Sequence, residues 1–228
     1  MKKAKLIFDY TLMGLAAVLI IVFAVLRGQA FLKTLPTLVT LVVQMLMVRA
    51  NRFAFLLGGT NAVIYGLAYL TEGLYFSVVS AVLISAPIQI YSFIVWSKNS
   101  RGGQAELKFL KKKHLAFTLA LSAAGWMGCY FGLSWLFAGQ SYPLLDTYVF
   151  VMGITISFLA AWRYIESQYL NIISSVISLA LWILLTLRDP ANFNYIIISA
   201  YNLYRIVQAS VSWTQKYYQS KREKEMVS

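Results

Sequence analysis

The chain has 228 residues, 60% of them hydrophobic and 12% charged, with a mean hydropathy of +0.67. A soluble domain carries roughly 45–50% apolar and about 25% charged residues, so this composition excludes one. The formal net charge of +12 would suit a nucleic-acid binder, but the Lys and Arg residues fall in short breaks between apolar runs, which is a membrane-topology pattern, and no nucleic-acid partner is expected.

A hydrocarbon core ~30 Å thick takes ~20 helical residues. Eight apolar runs approach that length. The first, Leu6 to Leu26, follows a basic start as a signal peptide does, but it is long and ends on Arg27 without a small-x-small site, so it is read as a retained span. Then come Leu35 to Val48, Phe53 to Leu70 and Tyr75 to Trp96. A polar stretch, "SKNSRGGQAELKFLKKKH" at 97 to 114, divides the chain into comparable halves. After it follow Leu115 to Phe137, Leu144 to Trp162, Tyr169 to Leu187 and Tyr195 to Trp213. The expected class is an all-α integral membrane protein with eight transmembrane helices.

Lys and Arg are retained on the cytoplasmic side of bacterial membranes. With the N-terminus inside, sixteen of the twenty basic residues lie inside and only Arg27, Lys33 and Arg188 outside, leaving Arg205 within a span. That count requires an even number of crossings and places both termini in the cytoplasm. Two runs end alike, "IQIYSFIVW" at Trp96 and "YRIVQASVSW" at Trp213, each followed by a basic segment. The expectation is two parallel three-helix repeats joined by a linker helix (3+1+3) plus an N-terminal helix. The corresponding boundaries are 1–30 for the N-terminal helix, 31–97 for the first repeat, 98–138 for the basic loop and linker helix, 139–214 for the second repeat and 215–228 for a cytoplasmic tail.

Polar groups at lipid depth are costly, so their arrangement is the nearest equivalent of an active-site motif. The fourth span carries Ser85, Gln89, Ser92 and Trp96 at helical spacing, with Phe93 one turn beyond Gln89. The seventh carries Asn171, Ser175, Ser178 and Trp182; the eighth carries Tyr201, Asn202, Arg205, Gln208 and Ser212; the third has Asn61 and Tyr65 one turn apart, and Gln44 belongs to the second. Amides, hydroxyls and aromatic faces together suit a flat heterocycle joined to a hydroxylated group. The bland alternative is that such side chains glue helices at ~0.6 kcal/mol each. Amides cost more to bury than hydroxyls, which favours ligand contact for Gln89 and Asn61 over the serines. Gly58 and Gly59 in "LLGGTN" read as close helix packing, since no phosphate-loop context surrounds them. Arg205, near mid-depth, needs a counterion; Asp9 or Glu166 is expected to supply it, and substrate contact is the alternative.

The patterns "NRFAFLLGGTNAVIYG" (51–66), "QIYSFIVW" (89–96) and "RYIESQYLNIISSVISLALW" (163–182) resemble the PnuC-type vitamin transporters over roughly Gln44 to Trp213. That family is similar to the SWEET sugar transporters in helix plan. The resemblance implies facilitated diffusion of nicotinamide riboside across a bacterial inner membrane with cytoplasmic trapping; relatives carry thiamine, riboflavin or deoxynucleosides. It further implies a trimer and a substrate site that includes Gln89, Trp96 and Asn61. The chain departs from the family pattern in having Ser92-Phe93 where Gly-Trp is usual, Ser175 where Asp or Asn is usual, and Arg205. A fixed cation disfavours a pyridinium ligand unless it is neutralised.

Catalysis is not expected. Membrane-face enzymes need clustered His, Asp or Glu, whereas the eight acids here are dispersed and His114 stands alone. One cysteine, Cys129, excludes an internal disulfide, and neither metal nor cofactor is expected. The partners expected are a small nucleoside-like or vitamin substrate, membrane lipids and further copies of the chain.

Overall fold

The computed structural model describes residues 2–28, 31–71, 80–98, 100–101, 104–133, 142–188 and 190–227. Eight α-helices lie among them: α1 (Lys2–Leu26), α2 (Phe31–Val48), α3 (Phe53–Thr71), α4 (Ala86–Lys98), α5 (Lys112–Leu133), α6 (Pro143–Ala161), α7 (Glu166–Arg188) and α8 (Phe193–Val227). Each expected span has its helix. Residues 75–79 of the fourth and 134–137 of the fifth fall outside the described residues. Five described segments are long and apolar enough to cross a membrane, while α2 and α3 carry shorter apolar stretches, Thr34–Val48 and Phe53–Leu67. The last helix continues past Trp213 through the polar stretch read as a tail.

Two prolines shape the helices. Pro36 sits in α2 and cannot donate the hydrogen bond that Leu32 O would otherwise receive. Pro87, at the start of α4, has the same effect on the preceding turn, where Ser80–Ser85 widens into a π-helical segment before α4 begins.

Six helices close a ring through neighbour packing: α2 on α3, α3 on α4, α4 on α6, α6 on α7, α7 on α8, and α8 back on α2. Outside the ring, α1 packs against both α2 and α8, where Ala16, Ile20, Leu41, Ile198 and Tyr201 form a buried cluster. Helix α5 leans on α6, through a Ser122–Thr155 hydroxyl contact at 2.8 Å and the Trp126 indole N–H donating to Leu144 O at 3.0 Å.

The turns α2–α3 and α6–α7 have the same construction. Ala50 (φ 51°) and Arg163 (φ 69°) occupy the left-handed region that usually calls for glycine. In the first turn Asn51 N donates to Leu46 O at 3.1 Å and Ala50 N to Met47 O at 2.9 Å; in the second Tyr164 N donates to Leu159 O at 2.9 Å and Arg163 N to Ala160 O at 3.0 Å. Each is a Schellman cap, which satisfies carbonyls that the helix end leaves open.

The two halves of the ring exchange equivalent bonds at these caps. The Trp96 indole, from the end of α4, donates to Ala160 O at the end of α6 at 2.9 Å. The Trp213 indole, on α8, donates to Met47 O at the end of α2, also at 2.9 Å. The two rings meet at 5.2 Å between centroids, and both are fully buried. Phe55 packs on Trp96 at 4.8 Å, with Ala50, Ala160, Ile165 and Ala209 around them.

The polar linker lies over this end of the bundle. Leu107 is buried in the same cluster as the two tryptophans. Lys108 pairs with the α6–α7 turn like a strand, its N–H donating to Arg163 O and its carbonyl accepting from Ile165 N, both at 3.0 Å. Leu110 N donates to Glu166 Oε1 at 3.0 Å, and Phe109 stands edge-on against Tyr217 at 4.8 Å. Lys216 donates to Arg49 O at 2.6 Å, and its burial pushes the ammonium pKa below the usual lysine range.

Candidate functional site

The side chains singled out from the sequence separate into distinct settings. Asn61, on α3, is buried, and its Nδ2 donates to Pro36 O at 3.0 Å and to Thr40 Oγ1 at 2.9 Å, both on α2. Its Oδ1 is buried with no hydrogen-bond partner among the described residues. Leaving such an acceptor unpaired costs ~1–3 kcal/mol. Tyr65, one turn further along α3, is half-buried, and Tyr195 lies on α8. Trp182 of α7 stacks on Tyr195 at 4.1 Å with the planes 14° apart.

Gln89, on α4, sits over the paired glycines of α3. A β-carbon on Gly58 would lie 3.3 Å from Gln89 Oε1, and one on Gly59 would lie 3.3 Å from Gln89 Cβ. The glycines therefore make the notch in which the amide rests, and close helix packing is their role. No hydrogen bond joins the half-buried Gln89 amide to another described residue. Gly58 precedes Asn61 by three residues, so both amides lie against one face of α3. Gln89 thus rests on Gly58, Asn61 lies on the same face of α3 and bonds Thr40 of α2, and Trp182 and Tyr195 stack between α7 and α8.

The second half adds Asn202, whose Oδ1 is likewise buried without a partner among the described residues. Asn171, Ser175 and Ser178 are half-buried on α7 and make no side-chain hydrogen bond to another described residue. Unpaired buried oxygens also occur on Glu166 and Gln168, which stand beside the α6–α7 turn and the polar linker, away from the amides.

Four of the expected site residues are occupied elsewhere. Trp96 is committed to Ala160 and the aromatic cluster at the linker end, and Phe93 packs on Phe53 at 5.8 Å beside that cluster. Arg205 pairs with Asp9 on α1 at 3.0 Å, of the two expected partners, while Glu166 serves Leu110. Gln208 Oε1 accepts from Arg205 at 2.7 Å, and Gln208 Nε2 donates to Asp9 at 3.0 Å and to Tyr204 at 2.6 Å, which closes a network that holds α1 against α8. Tyr201 lies under the guanidinium at 5.7 Å and donates to Leu41 O at 3.4 Å. The charge of Arg205 is thereby neutralised inside the protein. Sequence reading missed Thr40, Pro36 and Tyr195.

A family model described as nicotinamide mononucleotide transporter matches residues 30–215. The chain belongs to this family. It is 25% identical over 166 residues to the nicotinamide riboside transporter PnuC of Neisseria mucosa, a match covering 71% of this chain and 63% of that relative's length. Its fold matches a crystal structure of the vitamin B3 transporter PnuC with a TM-score of 0.78 at 18% identity, covering 93% of this chain and 92% of the other. Membership in this PnuC-type family accounts for the helical membrane fold, and its named relatives are transporters, not enzymes.

Proposed function

We propose that the chain is a facilitator for uptake of a vitamin precursor of nucleoside type, with nicotinamide riboside as its substrate. The observation that carries this reading is the juxtaposition of two amides on one face of α3: Asn61 with a buried carbonyl oxygen, and Gln89 with an amide held in a glycine notch, neither atom group having a hydrogen-bond partner among the described residues. Polar groups kept at lipid depth without partners are costly, and a ligand that bonds them offsets that cost. Asn202, Asn171, Ser175, Ser178, Tyr65 and Trp182 extend the site, giving hydroxyl-binding groups and an aromatic face. Neutralisation of Arg205 by Asp9 removes the electrostatic objection to a cationic pyridinium.

Substrate crosses by alternating access between two three-helix units, α2–α4 and α6–α8, which α5 links and α1 flanks. The matched Schellman caps and the reciprocal Trp96 and Trp213 bonds support a duplication with this 3+1+3 plan, over the boundaries expected from the sequence. All eight helices cross the bacterial inner membrane, both termini face the cytoplasm, and the basic residues around the linker contact anionic headgroups. The tryptophan cluster then closes the cytoplasmic side. Phosphorylation in the cytoplasm traps the substrate, and the protein assembles as a trimer, as the family resemblance implies.

The test is a thermal-shift series on purified protein with nicotinamide riboside, thiamine, riboflavin and deoxynucleosides, followed by counterflow in proteoliposomes. A ligand at 100 times its Kd adds ~2.7 kcal/mol of stability. Stabilisation by nicotinamide riboside with gradient-independent flux is expected. Stabilisation by another member of the panel alone moves the chain to that specificity, and flux that collapses with the ion gradients overturns facilitation.

A further inference from the structure

We propose that Thr40 fixes the hydrogen-bonding polarity of Asn61, so that this amide meets the substrate as an acceptor and selects a ligand donor, a hydroxyl or a carboxamide N–H. The proposal rests on reading the Asn61 region as the substrate site, and it assigns a positioning residue to that site. An asparagine amide can turn either end to a partner, and only its surroundings decide which. Here both neighbours are acceptors. Pro36 O has no proton to give, and the one hydroxyl hydrogen of Thr40 is already donated to Pro36 O at 2.8 Å. Thr40 Oγ1 therefore accepts from Asn61 at 2.9 Å, and Pro36 O accepts from the same nitrogen at 3.0 Å. With the amide reversed, Asn61 Oδ1 would face a carbonyl oxygen and a hydroxyl whose hydrogen is committed, two lone-pair repulsions replacing two bonds.

The consequence is directional. Asn61 Nδ2 is saturated and Oδ1 is buried without a partner among the described residues, so the group offered to a ligand is a pure acceptor. A ligand donor there gains a bond in a dry setting, whereas an acceptor such as a carboxylate is repelled. Thr40 acts through Asn61 and need not touch the substrate.

A double-mutant cycle on nicotinamide riboside affinity tests this, with Thr40→Val, Asn61→Ala and the double variant measured by calorimetry beside ligand-free melting curves. Valine keeps the shape of threonine without the hydroxyl. Thr40→Val is expected to weaken binding about tenfold when Asn61 is present, equivalent to ~1.4 kcal/mol, but by no more than about twofold in the Asn61→Ala background. Thr40→Ser restores affinity. Additive losses, or a Thr40→Val affinity equal to that of the unaltered protein, overturn the proposal. Failure of the unaltered protein to bind nicotinamide riboside overturns the substrate reading instead, and the ligand-free melting cycle then decides the internal bond: coupling between positions 40 and 61 upholds the fixed amide, and additivity rejects it.

Discussion

The tryptophan cluster at the linker end and the amide group on α3 are both places where polar groups are buried among apolar helices, and they treat those groups in opposite ways. At the cluster, each indole N–H crosses to a carbonyl at the end of a helix in the other half, and large rings fill the space around it. At the amide group, the Asn61 and Asn202 oxygens and the Gln89 amide have no hydrogen-bond partner among the described residues. A fully paired polar group adds stability and specifies one arrangement, while an unpaired one lowers stability and awaits a partner. The difference separates the paired residues of the cluster from the amides proposed to meet substrate.

The largest effects are expected where the structure is closed. Trp96→Ala or Trp213→Ala removes a fully buried ring and orphans a shared carbonyl contact, and a loss of ~3–5 kcal/mol in unfolding free energy is expected. A chemical-denaturation curve in detergent checks it. Unchanged stability with abolished ligand binding would place Trp96 in the site and erase the contrast. Arg205→Ala should cost up to about 3–5 kcal/mol, because it removes a buried guanidinium from its network and leaves the half-buried Asp9 without its cation. Replacing both partners together, Asp9→Leu with Arg205→Met, should recover most of that loss; retained ligand affinity in this double variant would confirm that the pair serves to dock α1.

Smaller effects are expected at the amides, on binding and not on folding. Gln89→Leu should leave the melting temperature unchanged or raise it, since an unpaired amide is replaced by a hydrocarbon, while ligand affinity falls by ~1–3 kcal/mol. A melting temperature that drops with affinity intact would make Gln89 a packing residue. Gly58→Ala sharpens the comparison most finely. Its methyl would sit 3.3 Å from Gln89 Oε1, so the amide must shift by a few tenths of an ångström, and affinity should fall by under ~1.4 kcal/mol, about tenfold. Equal affinity in Gly58→Ala and the unaltered protein would show that the notch does not set the amide's position.

Gln89 and Asn61 stand out in the sequence as groups that need a partner, because an amide inside an apolar run is expensive wherever its helix packs. The pairing of Arg205 with Asp9 was legible for the same reason, sharpened by charge, although Glu166 was an equal candidate. Thr40 was not legible, because threonine commonly satisfies itself by bonding the carbonyl four residues back, as it does here, and nothing local reveals that a second helix uses the same oxygen. Trp96 was read toward the substrate because it shares a stripe with Gln89. A stripe gives a direction around the helix but not a depth, and two turns along α4 carry it from the amide group into the cluster at the linker end.

The sequence by itself determined the membrane class, the positions of the eight helices and the polar residues that need partners, because hydrophobic length and the cost of burying polar groups act on each segment separately. Only the tertiary structure decided which of those residues are paired. Packing the helices together brings Trp96 to Ala160, Trp213 to Met47 and Asp9 to Arg205 across long stretches of chain, while the Asn61 oxygen and the Gln89 amide find no partner among the described residues. Whether a buried polar atom has a partner depends on the packing of other segments around it, which no single segment encodes.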